Sequence, residues 1–353
     1  MSAGTVSAVR PLAVDAVFGD PLVVGAQLNN ATIQRMQDNY AWEQMRFRLT
    51  GTLTLAGYST APTKFVESIE NLISSLQLSA TGKGQGAANN QLCNVDAAFL
   101  YWKTAAMKGV APYRVDVGTA NGAYNFETNF TRFFKDPNNS ISRFFVLNTA
   151  LLNTLNVQAQ WRDQTAMVTG GVAGTATLSN VQYSVTARRF LNWPQQAANP
   201  YVTETQRPFQ ILATAPLFPC RQIPVGQILN RQWFKALVGS TSFADPSGVL
   251  IANSSKPEGG HIQTVINNAT YIQDNPAPAL TADDSTEWKL SPWPVGYYEW
   301  EPARNGNIRN RPVLTNVQNA DNFIDVTFQE GSLNNIVITD EQLVGVSAQQ
   351  LAS

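Results

Sequence analysis

Hydrophobic residues recur at every second position in most segments of this chain. The stretch 45–55 has Arg and Thr side chains between its apolar residues, which are Met45, Phe47, Leu49, Leu53 and Leu55. The stretches 155–161, 181–187 and 324–328 repeat the alternation. A period of two predicts half-buried β-strands. Because turns rich in Gly, Pro, Asn and Asp separate the strands and no βαβ rhythm is present, we predict an all-β protein of antiparallel sandwiches or barrels.

Helical spacing is found in few segments. In 93–109, Asn94 or Asp96 can cap a helix and Gly109 can end it, and three apolar residues share one face: Phe99, Trp102 and Ala106. A second helix is predicted in 29–42, where an Asn cap precedes Ile33, Met36 and Tyr40. The stretch 65–78 fits a helix at first but alternates in its last third, so we expect a short turn that leads into a strand.

Two stretches of the second half resemble two of the first half. Residues 146–161 align without a gap with 313–328, and residues 72–81 align with 261–270. The two matched stretches occur in the same order in each half, but more residues separate them in the first half than in the second. This extra length is accounted for if the helix predicted in 93–109 is an insertion. When the first alignment is extended without a gap to 34 residues, starting at Thr128 and Val295, only four positions are identical. Two alternatives therefore remain open, a duplication or two independent amphipathic patterns.

The length of 353 residues exceeds what one hydrophobic core usually supports, so two compact units are expected. Charged residues make up only 14% of the chain, and Asn, Gln, Ser and Thr supply the polarity. A surface of amides and hydroxyls can be pressed against identical copies without like-charge repulsion, which predicts that much of it is interface. The alternative is a turn-rich β-protein whose loops simply favour these residues.

Charge and cysteine content exclude several classes of function. The net charge is −1 without any basic cluster, so strong direct binding to nucleic acid is not expected. Cys93 and Cys220 are too far apart in sequence for a CxxC site, and either two reduced thiols or one long-range disulfide fits them. The N-terminus shows neither a signal peptide nor an uninterrupted apolar span, so we expect synthesis in a cytoplasm.

No constellation of residues predicts catalysis, a metal site or a cofactor. His261 is the only histidine, no GxSxG elbow accompanies it, and "ATGKGQG" lacks the spacing of a phosphate loop. The acidic stretch 281–288 is expected to be an exposed loop. An alternative function, a carbohydrate-binding or glycan-hydrolysing bacterial β-sandwich protein, would use its carboxylates with Trp293 and Trp300. Core packing explains those aromatic residues equally well.

Several stretches resemble the double jelly-roll major capsid proteins of tailless icosahedral viruses with an internal membrane. They are "ENLISSLQLSATGKGQG" after the first strand, "LLNTLNVQAQW" late in the first half, "QIPVGQ" early in the second, and "PVGYYEWEPARNGNIRN" followed by "NFIDVTF" near the end. The resemblance covers roughly residues 45 to 340. It implies two eight-stranded antiparallel jelly rolls side by side, with a few short helices, in a structural protein without catalysis.

The resemblance also implies a domain plan and partners. It predicts an N-terminal arm at 1–44, a first jelly roll at 45–193, a linker at 194–200 and a second jelly roll with a C-terminal tail at 201–353. Three chains would form a pseudo-hexagonal trimer that contacts neighbouring capsomers and minor capsid proteins in a virion. Loops 82–91, 165–176 and 239–260 are candidates for outer or intersubunit positions.

The arm is the part that the resemblance connects to other components. In relatives such an arm lies beneath the shell and touches neighbouring capsomers or the membrane. Here Ile33, Met36 and Tyr40 would dock it through the predicted helix. The alternative is an arm folded onto its own jelly roll.

Overall fold

A computed structural model describes residues 31–33, 40–82, 90–135, 145–190, 200–211, 217–221, 228–238, 261–266, 269–294, 296–300, 323–327 and 334–344. We call residues 40–190 the first half and residues 200–344 the second half. Strands dominate both halves. They are β1 (Ala31–Ile33), β2 (Ala41–Ala56), β3 (Thr63–Lys64), β4 (Ile73–Gly82), β5 (Asn90–Val95), β6 (Arg114–Val115), β7 (Gly122–Phe133), β8 (Leu147–Asn148), β9 (Leu152–Trp161), β10 (Val168–Thr169), β11 (Thr175–Phe190), β12 (Tyr201–Ile211), β13 (Leu217–Arg221), β14 (Ile228–Val238), β15 (His261–Ile266), β16 (Ala269–Pro276), β17 (Tyr297–Trp300), β18 (Phe323–Thr327) and β19 (Asn334–Val344).

Two α-helices accompany the strands, α1 (Ala97–Lys108) and α2 (Ala277–Trp288). Helix α1 confirms the prediction from sequence at both ends. The Asp96 carboxylate accepts a hydrogen bond from the Phe99 amide, and Gly109 closes the helix with a left-handed φ of 65°. The ambiguous stretch 65–78 is also as predicted, because a turn and a short 3-10 helix (Glu70–Leu72) lead into β4.

The first half is a sandwich of two antiparallel sheets. One sheet has the order β11-β2-β7-β6, with β8 beside β2, and the facing strands are β9, β4 and β5. The apolar positions of the alternating segments point between them, so Phe47, Leu49 and Val185 are buried. The Trp161 ring of β9 meets the Tyr183 ring of β11 edge-on, with centroids 5.7 Å apart, and joins the two layers.

One sheet runs through both halves, in the order β1-β9-β4-β5-β12-β19-β14-β17. The halves meet where β5 pairs with β12 in parallel, with Cys93 opposite Glu204 and Asn94 opposite Thr205. The other strand pairs of this sheet are antiparallel. The two halves therefore share hydrogen-bonded backbone as well as side-chain contacts.

The two stretches that align with β4 and β9 in sequence are also neighbours in the structure. Strand β4 pairs with β9, and β15 pairs with β18 in the sheet β13-β18-β15-β16. The registers differ: Leu76 lies opposite Ala159, whereas the aligned Val265 lies opposite Phe323 and not opposite Val326. The internal likeness therefore extends to which strands pair, while the register is set separately in each half.

Two predictions of local structure are wrong. The helix predicted in 29–42 is contradicted where the structure describes this stretch, because Ala31–Ile33 is strand β1 against β9 and β2 already begins at Ala41; residues 34–39 lie outside the described residues. From Ala41 onward the sequence alternates, and pairing with neighbouring strands satisfies the backbone hydrogen bonds that a helix would otherwise satisfy. The acidic stretch 281–288 is not an exposed loop but the C-terminal part of α2, with Asp284 fully buried.

Candidate functional site at the junction of the two halves

Helix α1 lies at the junction between the halves and is buried nearly all round. Among its twelve residues, only Trp102 and Lys108 are not fully buried. Its Phe99 ring meets the Trp233 ring edge-on at 5.9 Å, and its Trp102 ring lies 6.1 Å from the Tyr297 ring. A helix that is hydrophobic on every side belongs in the interior of a protein. The element expected as an insertion in the first half is therefore the part that connects it to the second.

Lys103 of α1 forms the first centre of a buried network of charges. Its ammonium group pairs with the Glu204 carboxylate of β12 and, at 2.7 Å, with the Glu341 carboxylate of β19. Arg132 of β7 approaches the other oxygen of Glu204 with its Nε at 3.0 Å. The Trp233 indole donates to Glu341 Oε1 at 2.6 Å. Two cations from the first half thus neutralise two carboxylates from the second.

The second centre is Glu67, in the turn before β4. Its Oε1 accepts hydrogen bonds from the Trp102 indole at 2.6 Å and from the Tyr297 hydroxyl at 2.5 Å. Its Oε2 pairs with the Lys235 ammonium of β14 at 2.6 Å. Glu67 is 1% exposed and Lys235 is 4% exposed, so water contributes little to their stabilisation. Here the carboxylate belongs to the first half and the cation to the second, which is the reverse of the arrangement around Lys103.

Asp96 joins this second centre to the helix. One carboxylate oxygen caps α1, and the other lies 3.8 Å from the Lys235 ammonium. The Asp96 amide donates to the Gln206 side chain of β12 at 2.7 Å. Burial by itself would lower the pKa of Lys235, but the carboxylates of Asp96 and Glu67 hold that pKa above its ordinary value. Lys235 therefore stays charged.

Further pairs extend the network within the second half. Arg231 Nε lies 2.5 Å from the Glu299 carboxylate, and the Arg231 guanidinium lies 4.3 Å from the centre of the Trp288 ring. The Glu299 amide donates to the buried Asp284 carboxylate at 2.8 Å, which fastens α2 to β17. Burial would raise the pKa of Glu341, but Lys103 and Arg231 hold it below its ordinary value.

The arrangement acts as a directional lock between the halves. Each buried ion has its partner in one geometry only, and a displaced half would leave charges in a medium of low dielectric without compensation. Apolar contacts alone tolerate sliding, because hydrophobic attraction has no preferred direction. The reciprocal placement of charges therefore favours one arrangement of the described parts of the two halves.

Comparisons with solved structures agree with this architecture across the whole chain. The STIV MCP aligns with a TM-score of 0.67 at 14% identity and covers 97% of this chain and 98% of that one. A chain of Sulfolobus turreted icosahedral virus gives 0.66 at 13% identity, with coverage of 96% and 95%. The major capsid protein P2 of bacteriophage PM2 gives 0.57 at 11% identity, with coverage of 94% and 97%.

The chain has the fold of viral major capsid proteins. The all-β class with few helices is confirmed, and the structures it resembles are of the kind that the sequence stretches indicated. No family model and no curated sequence matches the chain. The likeness therefore lies in the fold and not in a shared sequence signature.

The residues predicted to dock the N-terminal arm are only partly placed. Ile33 lies in β1, in register with Val157 of β9. Tyr40 lies in a bend before β2, where its amide donates to the Thr149 hydroxyl at 3.2 Å. Met36 lies outside the described residues. The strand replaces the predicted helix, and the docking role of these residues stays a prediction.

Two residues of the alternative sugar-related function, Trp293 and Asp284, lie in the core. Trp293 is 5% exposed, stacks on Trp233 and donates to the Tyr297 carbonyl at 2.8 Å. Asp284 is committed to the Glu299 amide. Trp293 therefore offers no open face to a sugar, and Asp284 is not available as a catalytic carboxylate.

Other sequence predictions can be located in the structure. His261 begins β15, as its strand-like context indicated, and Cys93 is a buried free thiol. Within the parts of the chain that the structure describes, no group of three ligating side chains could hold a metal ion, and no helix is long and apolar enough to cross a membrane. Of the three loops proposed for outer positions, 165–176 is described, 239–260 is not, and 82–91 is described only at its ends.

Sequence reasoning missed the charge network itself. Strand β14 reads "ILNRQWFKALV", which does not alternate, and every residue from Leu229 to Leu237 is buried. A strand buried on both faces is expected to be continuously apolar, and the two cations in this one were the available signal. Their partners lie far away in sequence, as with Glu67, 168 residues before Lys235.

Proposed function

We propose that this chain is the structural subunit of a virion shell. The observation that carries the proposal is the shared fold with viral major capsid proteins over nearly the whole length of both chains. In this proposal three copies form a pseudo-hexagonal capsomer, and the capsomers tile an icosahedral capsid. The protein has no catalytic role.

The domain plan follows from this function. In this plan an arm at 1–44, whose described strands Ala31–Ile33 and the start of β2 pair with the first half, precedes a first jelly roll at 45–193, a linker at 194–200 and a second jelly roll with a tail at 201–353, each roll with eight strands. Two similar units in each of three copies give a tile with nearly six-fold outline. A tile must keep its shape under lateral contact, and the buried charges between the halves support that requirement.

The partners in this proposal are other shell components. The chain forms a homotrimer, and the trimer contacts neighbouring capsomers and minor capsid proteins. The N-terminal arm reaches neighbouring capsomers or an internal membrane. A net charge of −1 and a charged fraction of 14% support close packing of identical surfaces and disfavour strong direct nucleic-acid binding. Synthesis and assembly take place in the host cytoplasm.

Light scattering on the purified full chain, followed by negative-stain microscopy, tests the proposal. We expect a particle of three times the chain mass of 38.5 kDa. Obligate subunit contacts typically bury more than about 2,000 Å². We expect pseudo-hexagonal particles about 70 to 80 Å wide. This width is that of six abutting sandwiches whose sheets are spaced by about 10 Å, with side-chain and loop cover added. A stable monomer would contradict the proposal.

A further inference from the structure

Exposed apolar side chains are concentrated in one place on the first half. Among the described residues, five large hydrophobic side chains are exposed, and four of them lie in the turn 66–69 and in the segment 109–115. Val110 is 62% exposed and Tyr113 is 64% exposed. We call this set the apolar ridge, and its members are Val66, Val110, Tyr113 and Val115.

The fold holds the two segments of the ridge together. The Arg114 guanidinium donates to the Val66 carbonyl at 2.9 Å and so joins the segments. Val115 belongs to β6, where it lies opposite Glu127 of β7 at the edge of the sheet. The Tyr101 hydroxyl of α1 donates to the Pro112 carbonyl at 3.4 Å. Exposure of these side chains is therefore a feature of an anchored surface and not of a free loop.

The charges around the ridge are largely neutralised by their own neighbours, although the exposed Lys108 lies two residues before Val110. Lys64 pairs with Asp116 at 2.5 Å, and Arg114 lies 3.3 Å from the same carboxylate. Arg48 pairs with Glu127 through two hydrogen bonds of 2.8 Å. An apolar centre with a polar rim is typical of a protein interface. Because these cations are already paired, the rim favours a partner of low charge over an anionic surface.

We infer that the apolar ridge is a contact surface for a second copy of this chain. The inference rests on the proposed function and adds to it the surface on which subunits meet. A neutral rim around an apolar centre complements the surface of this chain, in which only 14% of residues are charged. The ridge is smaller than a complete subunit interface, so it forms one part of the contact.

Charge insertion on the ridge tests the inference. Val110→Glu and Tyr113→Glu are compared with the control Ala282→Glu, which inserts the same charge at an exposed position of α2 in the second half. Assembly of the full chain is followed by light scattering over a dilution series, and thermal unfolding checks that each variant folds. We expect at least about a tenfold higher concentration for half-assembly with each ridge variant. For a trimer this concentration scales as the square root of the dissociation constant, so the shift is equivalent to about 2.8 kcal/mol per trimer. We expect the control to stay within about twofold of the original chain.

A second measurement keeps the inference testable if a charged variant does not fold. A photoreactive benzophenone amino acid at position 113 is expected to give a cross-linked product of twice the chain mass, and one at position 282 is not. Ridge variants that assemble like the original chain, or the absence of any cross-link from position 113, would overturn the inference. If the original chain is itself a monomer, the proposed function fails together with the inference. If that chain is a trimer and the ridge variants remain trimers, only the inference fails.

Discussion

Removal of one cation from the buried network tests the directional lock between the halves. The change is Lys235→Met, which keeps an unbranched side chain one atom shorter and removes its charge. Glu67 then keeps the Trp102 and Tyr297 hydrogen bonds but loses its ion partner at 2.6 Å, and Asp96 loses its nearby cation. Both carboxylates lie where water cannot replace the ammonium group.

The structure gives the size of the expected effect. Breaking a buried ion pair from one side costs about 3–5 kcal/mol, because the remaining charge is uncompensated. An unfolding entropy of about 2.1 cal/mol/K per residue gives about 0.7 kcal/mol/K for a chain of this length, so the melting temperature should fall by about 5 °C. Lys235→Met combined with Glu67→Gln should recover a large part of the loss, since a neutral amide oxygen still accepts from Trp102 and Tyr297.

Denaturant titration at one fixed protein concentration measures these free energies of unfolding, because assembly also stabilises the folded chain. The matched control is Arg48→Met, which breaks an ion pair whose arginine is 58% exposed and should cost at most about 1 kcal/mol. Equal losses for Lys235→Met and the control would refute the lock. A double variant no more stable than Lys235→Met would refute the account of Glu67.

Three other changes have outcomes that follow from single contacts. Gly51→Ala should destabilise the chain by about 1–3 kcal/mol, because a Cβ there would lie 2.5 Å from Cζ of Phe126 across the strand pair. Burial raises the pKa of Glu70 in the folded chain, whereas in the unfolded chain this carboxyl titrates near about 4.3. The original chain therefore loses stability as the pH rises from about 4.3 towards the raised pKa. Glu70→Gln cannot ionise, so its stability relative to the original chain should increase with pH over this range. Burial raises the pKa of the Cys93 thiol to about 12, so in a Cys220→Ser background a thiol reagent at pH 8 should label the folded chain more than about a thousandfold more slowly than the unfolded chain.

Each of these predictions has an internal check. Phe126→Leu should relieve part of the cost of Gly51→Ala, and a cost that stays unchanged would exclude the clash as its cause. A stability difference for Glu70→Gln that is flat between pH 4 and pH 7 would contradict the raised pKa. Rapid labelling of Cys93 in the folded chain would show that this part of β5 is accessible.

Local pattern was sufficient to predict several strands and one helix. The apolar positions of 45–55 and 181–187 are buried as their alternation indicated, because a strand has only two faces and the pattern assigns one to the core. Gly109 ends α1 as predicted, and Asp96, one of the two predicted caps, begins it, since a cap depends on neighbours within one turn. The helical spacing of 29–42 failed where a partner strand was available to Ala31–Ile33.

The sequence by itself determined the all-β class, the alternating cores and the bounds of α1, because each depends on residues close together in the chain. The tertiary structure alone decided that Lys103, Glu204 and Lys235 are buried and paired, and that α1 lies between the halves. Sequence propensity places lysine and glutamate on surfaces, and only contacts across 101 and 168 residues supply the opposite charges that make their burial favourable. The strand pattern specifies the layers, whereas the long-range electrostatic contacts specify how two layered halves become one body.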